Sequence, residues 1–218
     1  MAEFSIIDTY FNRKSPHSVD LGVGDDSALL TPPPQQQLVI CADTLVAGRH
    51  FPLDTSPHAI GWKSVAVNLS DIAAMGAKPQ SILLALSLPQ IDHDWLKGFS
   101  QGLYDCCDQF GVSLIGGDTT QSPHLTISVT ALGWVDIGQA VTRSAAQVGD
   151  LICVSGTVGD AAFALQHLGH PLQHRLDYPT PRCELGQALK GLAHSMIDVS
   201  DGLAQDLGHI LKASHVGA

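Results

Sequence analysis

Apolar residues recur along the chain with two different spacings, and together they predict a mixture of helices and strands. Apolar positions three or four residues apart predict helices over residues 3–13, 57–76 and 92–110. Short apolar runs bounded by glycine or proline predict strands over residues 38–41, 82–88, 112–115 and 125–135. These elements predict a first domain over residues 1–138.

The second part of the chain begins after a change of composition near residues 136–150. The pattern beyond it predicts strands over residues 151–155 and 195–199, helices over residues 160–168, 182–193 and 202–213, and a proline-rich loop over residues 171–181. Two strands and three helices are too few for an independent core. We therefore expect residues 139–218 to be the start of a second domain that is truncated here.

Composition narrows the classes of partner. The 218 residues include 21 acidic and 11 basic side chains, and the net charge of −10 disfavours nucleic acid and anionic membranes. No apolar run of about eighteen residues and no N-terminal signal pattern occurs, so we expect a cytoplasmic protein without a membrane span. The five cysteines include no CxxC pair, which argues against a disulfide framework. A phosphate-bearing ligand would need cations, and metal ions are the obvious source.

Aspartates fall repeatedly at predicted strand ends or glycine turns, and one more lies in a helix rich in Ala, Val and Leu. They are Asp25, Asp26, Asp43, Asp118, Asp198 and Asp201, with Asp71 in the helix. Two carboxylates about 4 Å apart repel by about 4 kcal/mol at an effective dielectric constant of about 20. Mg²⁺ relieves such repulsion, because it binds carboxylates together with phosphates and water. Each aspartate alone could be a cap or turn residue, but the set predicts a magnesium site.

Two glycines precede Asp118 in the segment LIGGDTT, residues 114–120. Glycine backbone after a buried strand can come close to a ligand, and its N–H groups can meet phosphate oxygens. The chain contains no GxxxxGK[ST] sequence, so this segment is not a P-loop.

Ser64, Asn68 and Asp71 form a polar stripe on the helix predicted over residues 57–76. The stripe is either a solvated face or a row of groups that face a site. Residues 66–77 contain no Lys or Glu, which a solvated face usually carries. Both interpretations stay open at this point.

Three residues of the second part also have alternative explanations. Asp201 stands where the N-cap of the helix over residues 202–213 is expected. Arg143 could be an ordinary surface arginine. Asp198 lies between two apolar residues, and a capping role does not explain it.

Six segments occur in the same order in a known family. They are GVGDDSALL (22–30), ADTLVAGRHF (42–51), VNLSDIAAMGAKP (67–79), LIGGDTT (114–120), VTRSAAQVGD (141–150) and MIDVSDGLAQDLGHI (196–210). Together they resemble thiamine-monophosphate kinases, which belong to the wider group of aminoimidazole-ribonucleotide synthase-like ATP-binding enzymes. The match covers nearly the whole chain, and the family's members are longer.

The resemblance implies an α+β fold. Its N-terminal domain would have a mixed or antiparallel sheet covered by helices, would form a homodimer through that sheet, and would be followed by a partial second α/β domain. The implied reaction is direct in-line transfer of the ATP γ-phosphate to thiamine monophosphate, without a protein nucleophile. The implied Mg²⁺ ligands are Asp26, Asp43, Asp71, Asp118, Asp198 and Asp201. The implied ATP contacts are Gly117, Asp118, Arg143 and Ser200, and His50 would contact the thiamine phosphate.

The chain departs from the family just before Asp43. Hydroxyl-bearing residues are frequent at these two positions, which are Cys41 and Ala42 here. We keep both as weak metal-site candidates, through a backbone carbonyl. Two other functions stay open: another ATP-using enzyme of the same group, such as a ring-closing synthase or a selenophosphate synthetase, and a non-catalytic nucleotide-binding fragment. The first cysteine is Cys41, whereas a selenophosphate synthetase typically has a reactive Cys or selenocysteine near its N-terminus.

Overall fold

A computed structural model describes residues 2–13 and 19–218. The first element is helix α1 (Ala2–Ile6), which continues as a π-helical segment, Ile7–Phe11. Phe11 is buried and packs edge-on against Phe99. The N-terminal helix predicted over residues 3–13 is therefore present, although its second half is wound more loosely.

Four strands form one mixed sheet in the order β1-β4-β2-β3. They are β1 (Gln36–Val46), β2 (Lys78–Leu88), β3 (Ser113–Gln121) and β4 (Thr126–Asp136). Strand β4 pairs antiparallel with both β1 and β2, and β2 pairs parallel with β3. The expected mixed sheet is confirmed, and β1, β2 and β3 are longer than the apolar runs predicted.

Two helices, α2 (Pro57–Ala74) and α3 (His93–Phe110), cover one face of the sheet. The Ser56 side chain accepts the N–H of Ala59 at the start of α2, and Asp92 caps α3 in the same way. The two helices touch through glycines: a Cβ on Gly102 would lie 1.9 Å from the carbonyl oxygen of His58. This close contact fixes both helices over the same face of the sheet.

The core lies between these helices and the covered face. Its fully buried side chains include Ile82, Leu86, Ile127 and Val129 from the sheet, Val65, Leu69 and Ile72 from α2, and Leu96, Phe99 and Leu103 from α3. The opposite face is open, and Leu38 and Ile40 on β1 are exposed there. Within the described residues, no helix has the length and apolar character needed to cross a membrane.

The second part of the chain contains four short to medium helices. They are α4 (Asp160–Gln166), α5 (Gln173–Asp177), α6 (Cys183–Ala188) and α7 (Leu203–Ser214). Helix α6 packs on α2, where a Cβ on Gly186 would meet the Ala73 carbonyl oxygen at 2.2 Å. The sequence pattern missed α5, because its proline-rich surroundings indicated a loop.

The strands predicted over residues 151–155 and 195–199 are wrong. Leu151 is 89% exposed, and the pairing at the second segment is a single bridge between Thr142 and Ser195. A strand is stabilised only when its N–H and C=O groups find partners in a neighbouring strand. The described residues offer these two segments no such neighbour.

Candidate functional site

Strand β1 and helix α2 bring Asp43 and Asp71 toward each other. Strand β1 extends to Val46, so Asp43 lies inside the strand and not just beyond its end, as the sequence suggested. Asp43 pairs with Val129, which is buried under the helices, so its side chain lies on the helix-covered face. Asp71 lies near the C-terminal end of α2 and is half-buried.

Asn68 connects these two elements. Its Oδ1 atom accepts the N–H of Asp43 at 2.9 Å, and its Nδ2 atom donates to the carbonyl oxygen of Ser64 at 3.0 Å. Asn68 has no exposed surface, and Ser64 is also buried. The polar stripe on α2 is therefore an interior feature, and its interpretation as a solvated face is wrong.

The charges around Asp71 reveal a third carboxylate. Burial raises the pKa of Asp71 to about 6, and the charges of Asp198 and then Asp43 contribute to this rise. The pKa of Asp198 is raised as well, first by burial, then by the charge of Asp206, with a smaller effect of Asp43. Three carboxylates from distant parts of the sequence thus lie close enough to repel one another.

Arg143 supplies the positive charge of this group. Its guanidinium lowers the pKa of both Asp71 and Asp198, so it lies within electrostatic range of both carboxylates. The Arg143 carbonyl oxygen accepts the Ser214 hydroxyl at 2.8 Å, which fixes the local backbone. Arg143 is exposed, so it is a surface arginine that also lies near these carboxylates.

Cys41 lies beside the same carboxylates. Burial, with the charges of Asp71 and Asp43, raises the pKa of its thiol to about 12. The Sγ atom lies 3.4 Å from the Asn68 carbonyl oxygen, to which the thiol donates. A protonated thiol is a poor metal ligand, so this side chain stabilises the packing of β1 on α2. Ala42, the neighbouring weak candidate, is exposed.

A turn over residues 198–202 carries three of the predicted site residues, and Asp206 determines its shape. One carboxylate oxygen of Asp206 accepts the backbone N–H groups of Ser200, Asp201 and Gly202 at 3.0, 3.2 and 3.1 Å. The predicted capping role of Asp201 is therefore wrong. Its own carboxylate accepts a hydrogen bond from the Gln205 side chain at 3.2 Å.

The sequence carries one signal for Asp206, which was not among the predicted site residues. The residue lies in the first turn of α7, where a carboxylate is favoured by the helix dipole. Asp201 was predicted to be the N-cap because it immediately precedes the helix predicted over residues 202–213. Asp206 is only 3% exposed, which distinguishes it from a solvated first-turn carboxylate.

Asp118 lies on the other face of the sheet. It pairs with Ala85, which pairs with Ser128 on β4, whereas Asp43 belongs to the neighbouring row of Val129. Adjacent rows project from opposite faces of a sheet. Within one chain, the structure therefore does not bring Asp118 beside Asp43.

The need for glycine at position 117 comes from the sheet. A Cβ there would lie 1.8 Å from the carbonyl oxygen of Leu84 on the neighbouring strand. Close backbone approach is thus required between β3 and β2. The segment 114–120 is part of β3, and not a loop beyond a strand as its glycines suggested.

The remaining predicted residues lie in exposed turns. Asp26 is exposed, and its N–H donates to the Asp25 carboxylate at 2.8 Å. His50 follows β1, and its Nδ1 atom accepts the N–H of Val46 at 2.9 Å. A cavity of about 290 Å³ opens beside this turn, lined by residues that include Phe51 and Trp95.

The donor set fits Mg²⁺ that arrives with phosphate. Among residues 2–13 and 19–218, no three Asp, Glu, His or Cys side chains are grouped tightly enough to hold a metal ion alone. Mg²⁺ usually takes one or two carboxylates and completes its shell with phosphate oxygens and water. Asp43, Asp71 and Asp198 repel one another, so a cation between them would be favourable. The arrangement does not fit a closed protein cage.

Comparison with known proteins gives consistent matches. Residues 24–135 match the family described as AIR synthase related protein, N-terminal domain. The thiamine-monophosphate kinase of Escherichia coli (strain K12) is 50% identical over 229 residues, which cover 99% of this chain and 70% of the relative.

Solved structures agree with these matches. The thiamine-monophosphate kinase of Stenotrophomonas maltophilia K279a superposes with a TM-score of 0.86 at 48% identity, covering 97% of this chain and 71% of the other. A structure described as AaThiL complexed with AMPPCP and TMP superposes with a TM-score of 0.78 at 30% identity, covering 85% of this chain and 63% of the other. From the identity over nearly its whole length, the chain belongs to the thiamine-monophosphate kinase family.

Proposed function

We propose that this chain uses ATP to phosphorylate thiamine monophosphate, with Mg²⁺ held near Asp43, Asp71 and Asp198. The observation that carries the proposal is that Asn68 joins the strand of Asp43 to the helix of Asp71, with Asp198 and Arg143 within electrostatic range. Family membership supports the same activity, and so does the related structure described with AMPPCP and TMP.

The proposed reaction is an in-line phosphoryl transfer. A phosphate oxygen of thiamine monophosphate attacks the γ-phosphorus of ATP, a new P–O bond forms, and the bond to ADP breaks. Such a transfer needs positioning and charge neutralisation and no protein nucleophile. Arg143 is suited to phosphate oxygens, because a guanidinium can donate two parallel hydrogen bonds. Bound Mg²⁺ would supply the remaining positive charge.

The other sequence-predicted residues keep proposed roles. Asp26, Asp118 and Asp201 remain candidate metal ligands, and Gly117 and Ser200 remain candidate ATP contacts. His50 remains the candidate contact to the thiamine phosphate. Its Nδ1 atom accepts the backbone N–H of Val46, so Nε2 is the ring nitrogen that would contact the thiamine phosphate.

We also propose that two copies pair through the open face of the sheet. Leu38 and Ile40 lie exposed on that face, and apolar side chains there favour burial against a second copy. Asp118 lies on the same face, so it would be at or near the interface between copies.

A coupled assay tests the reaction and separates it from ring-closing chemistry. We expect thiamine diphosphate and ADP from thiamine monophosphate, and no turnover of aminoimidazole precursors. The variants Asp43→Asn and Asp118→Asn should each lower turnover at least about hundredfold. Asp94→Asn, which alters an exposed carboxylate on α3, is the matched control. Turnover of the aminoimidazole precursors alone would overturn the proposal.

A further inference from the structure

The turn that precedes α7 is bound by a carboxylate from the same chain, that of Asp206. A helix N-terminus normally offers its free N–H groups to a phosphate or to a capping side chain. Here the N-cap residue is Gly202, which has no side chain to use. The carboxylate of Asp206 instead reaches back from inside the helix and accepts three consecutive N–H groups.

This arrangement restricts how the turn can contact a ligand. The N–H groups of Ser200, Asp201 and Gly202 are directed to Asp206, so they are not free for phosphate oxygens. The side chains of Ser200 and Asp201 are exposed. The turn can therefore offer a hydroxyl and a carboxylate to a ligand, but not a backbone cradle.

We propose that Asp206 is a positioning residue for the Mg²⁺-nucleotide site, since its buried carboxylate fixes the turn that carries Asp198, Ser200 and Asp201. This inference rests on the proposed function. Asp206 itself does not contact the ligand, because it is 3% exposed and its Oδ2 atom is occupied by the turn. Its role is to hold the backbone of residues 200–202, so that this turn meets the ligand with its side chains.

The substitution Asp206→Asn tests this role while retaining the shape of the side chain. The three N–H groups share the Oδ2 atom, and the amide oxygen of Asn can take its place, but a neutral amide accepts them more weakly than a carboxylate. Titration with a non-hydrolysable ATP analogue at increasing Mg²⁺ should show that the variant needs about tenfold more Mg²⁺ for half-maximal binding. Saturating Mg²⁺ should restore the affinity for the analogue to within about threefold of the original value. Amide hydrogen exchange over residues 200–202 should also become faster.

Asp92→Asn is the matched control, because Asp92 also accepts backbone N–H groups at a helix start, on α3. It should leave the Mg²⁺ requirement unchanged. If Asp206→Asn fails to fold, Gly202→Ala is titrated in its place: Gly202 has φ +125°, so a side chain there distorts the turn while Asp206 remains. It should also raise the Mg²⁺ requirement.

The outcomes separate the role of Asp206 from the proposed function. If the unaltered chain does not bind the analogue, the proposed function fails. If it binds and the folded Asp206→Asn variant has the same Mg²⁺ requirement, the role of Asp206 is overturned. That role is also overturned if Asp206→Asn does not fold and Gly202→Ala binds normally.

Discussion

The Oδ1 atom of Asn68 accepts the backbone N–H of Asp43 at 2.9 Å, and this hydrogen bond ties strand β1 to helix α2. Strand β1 is at the edge of the sheet, so some of its N–H groups have no strand partner. Asn68 satisfies one of them at the position where Asp43 approaches Asp71. A tether at this point is useful because the two carboxylates repel each other.

The substitution Asn68→Ala should therefore separate the two carboxylates. We expect the free energy of unfolding to fall by about 2 kcal/mol, because the substitution removes the hydrogen bonds to the Asp43 N–H and to the Ser64 carbonyl oxygen. Denaturant unfolding measures this change, and titration should show weaker binding of an Mg²⁺-bound ATP analogue. Ser100→Ala is the control, because that buried serine bonds within its own helix. Equal effects of the two substitutions would contradict the tether.

Stability should depend on pH through Asp71. Its pKa is raised from 3.8 to about 6, so between these values the folded chain holds a proton that the unfolded chain has lost. The free energy of unfolding of the metal-free chain should therefore fall as pH rises through this window. At pH 7 in EDTA, Asp71→Asn should be more stable by about 1 kcal/mol, allowing for solvent screening.

The stability difference between Asp71→Asn and the unaltered chain is the quantity to measure, from about pH 4 to pH 7. It should grow as pH rises and then level off above about pH 6. A difference that is constant with pH would mean that the pKa of Asp71 is not raised by burial and by its neighbours.

Gly117→Ala should disrupt β3. A Cβ would meet the Leu84 carbonyl oxygen at 1.8 Å, so the strands must move apart or the variant must lose stability. We expect a loss of at least about 3 kcal/mol, or failure to fold. Gly138→Ala is the control: Gly138 also has a positive φ, +76°, but nothing lies within 4 Å of its added Cβ. Similar losses in thermal unfolding would show that backbone strain, and not the contact, requires glycine.

Pairing through the open sheet face can be tested with two isoleucines of equal exposure. Ile40 lies on that face and Ile137 follows β4, and each is 58% exposed. We expect a dimer by light scattering, a monomer for Ile40→Asp, and a dimer for Ile137→Asp, because only the first buries a charge in the proposed interface. If the unaltered chain is monomeric at high concentration, the proposed interface is contradicted.

Hydrophobic patterning predicted the helices and the sheet of residues 1–138, because α2, α3 and the strands each follow their expected periodicities. It missed the full lengths of β1, β2 and β3, which are set by pairing with other strands and not by local apolar runs. The strands predicted at 151–155 and 195–199 failed for the related reason that the described residues give them no pairing partner.

The sequence predicted which residue types form the candidate site, but not how the fold positions them. Residue types and order indicated carboxylates for Mg²⁺, and two of them, Asp43 and Asp198, lie within electrostatic range of Asp71. Strand register placed Asp118 on the opposite face, and sequence spacing across a crossover does not reveal this. Asp206 was missed because its importance comes from a turn that folds back onto it.

The most direct test of the carboxylate site is isothermal titration of the chain with a non-hydrolysable ATP analogue, once with Mg²⁺ and once with EDTA. If Asp43, Asp71 and Asp198 hold a metal that bridges to the phosphates, binding heat appears with Mg²⁺ and disappears with EDTA. The same heat in EDTA would contradict a metal-dependent nucleotide site.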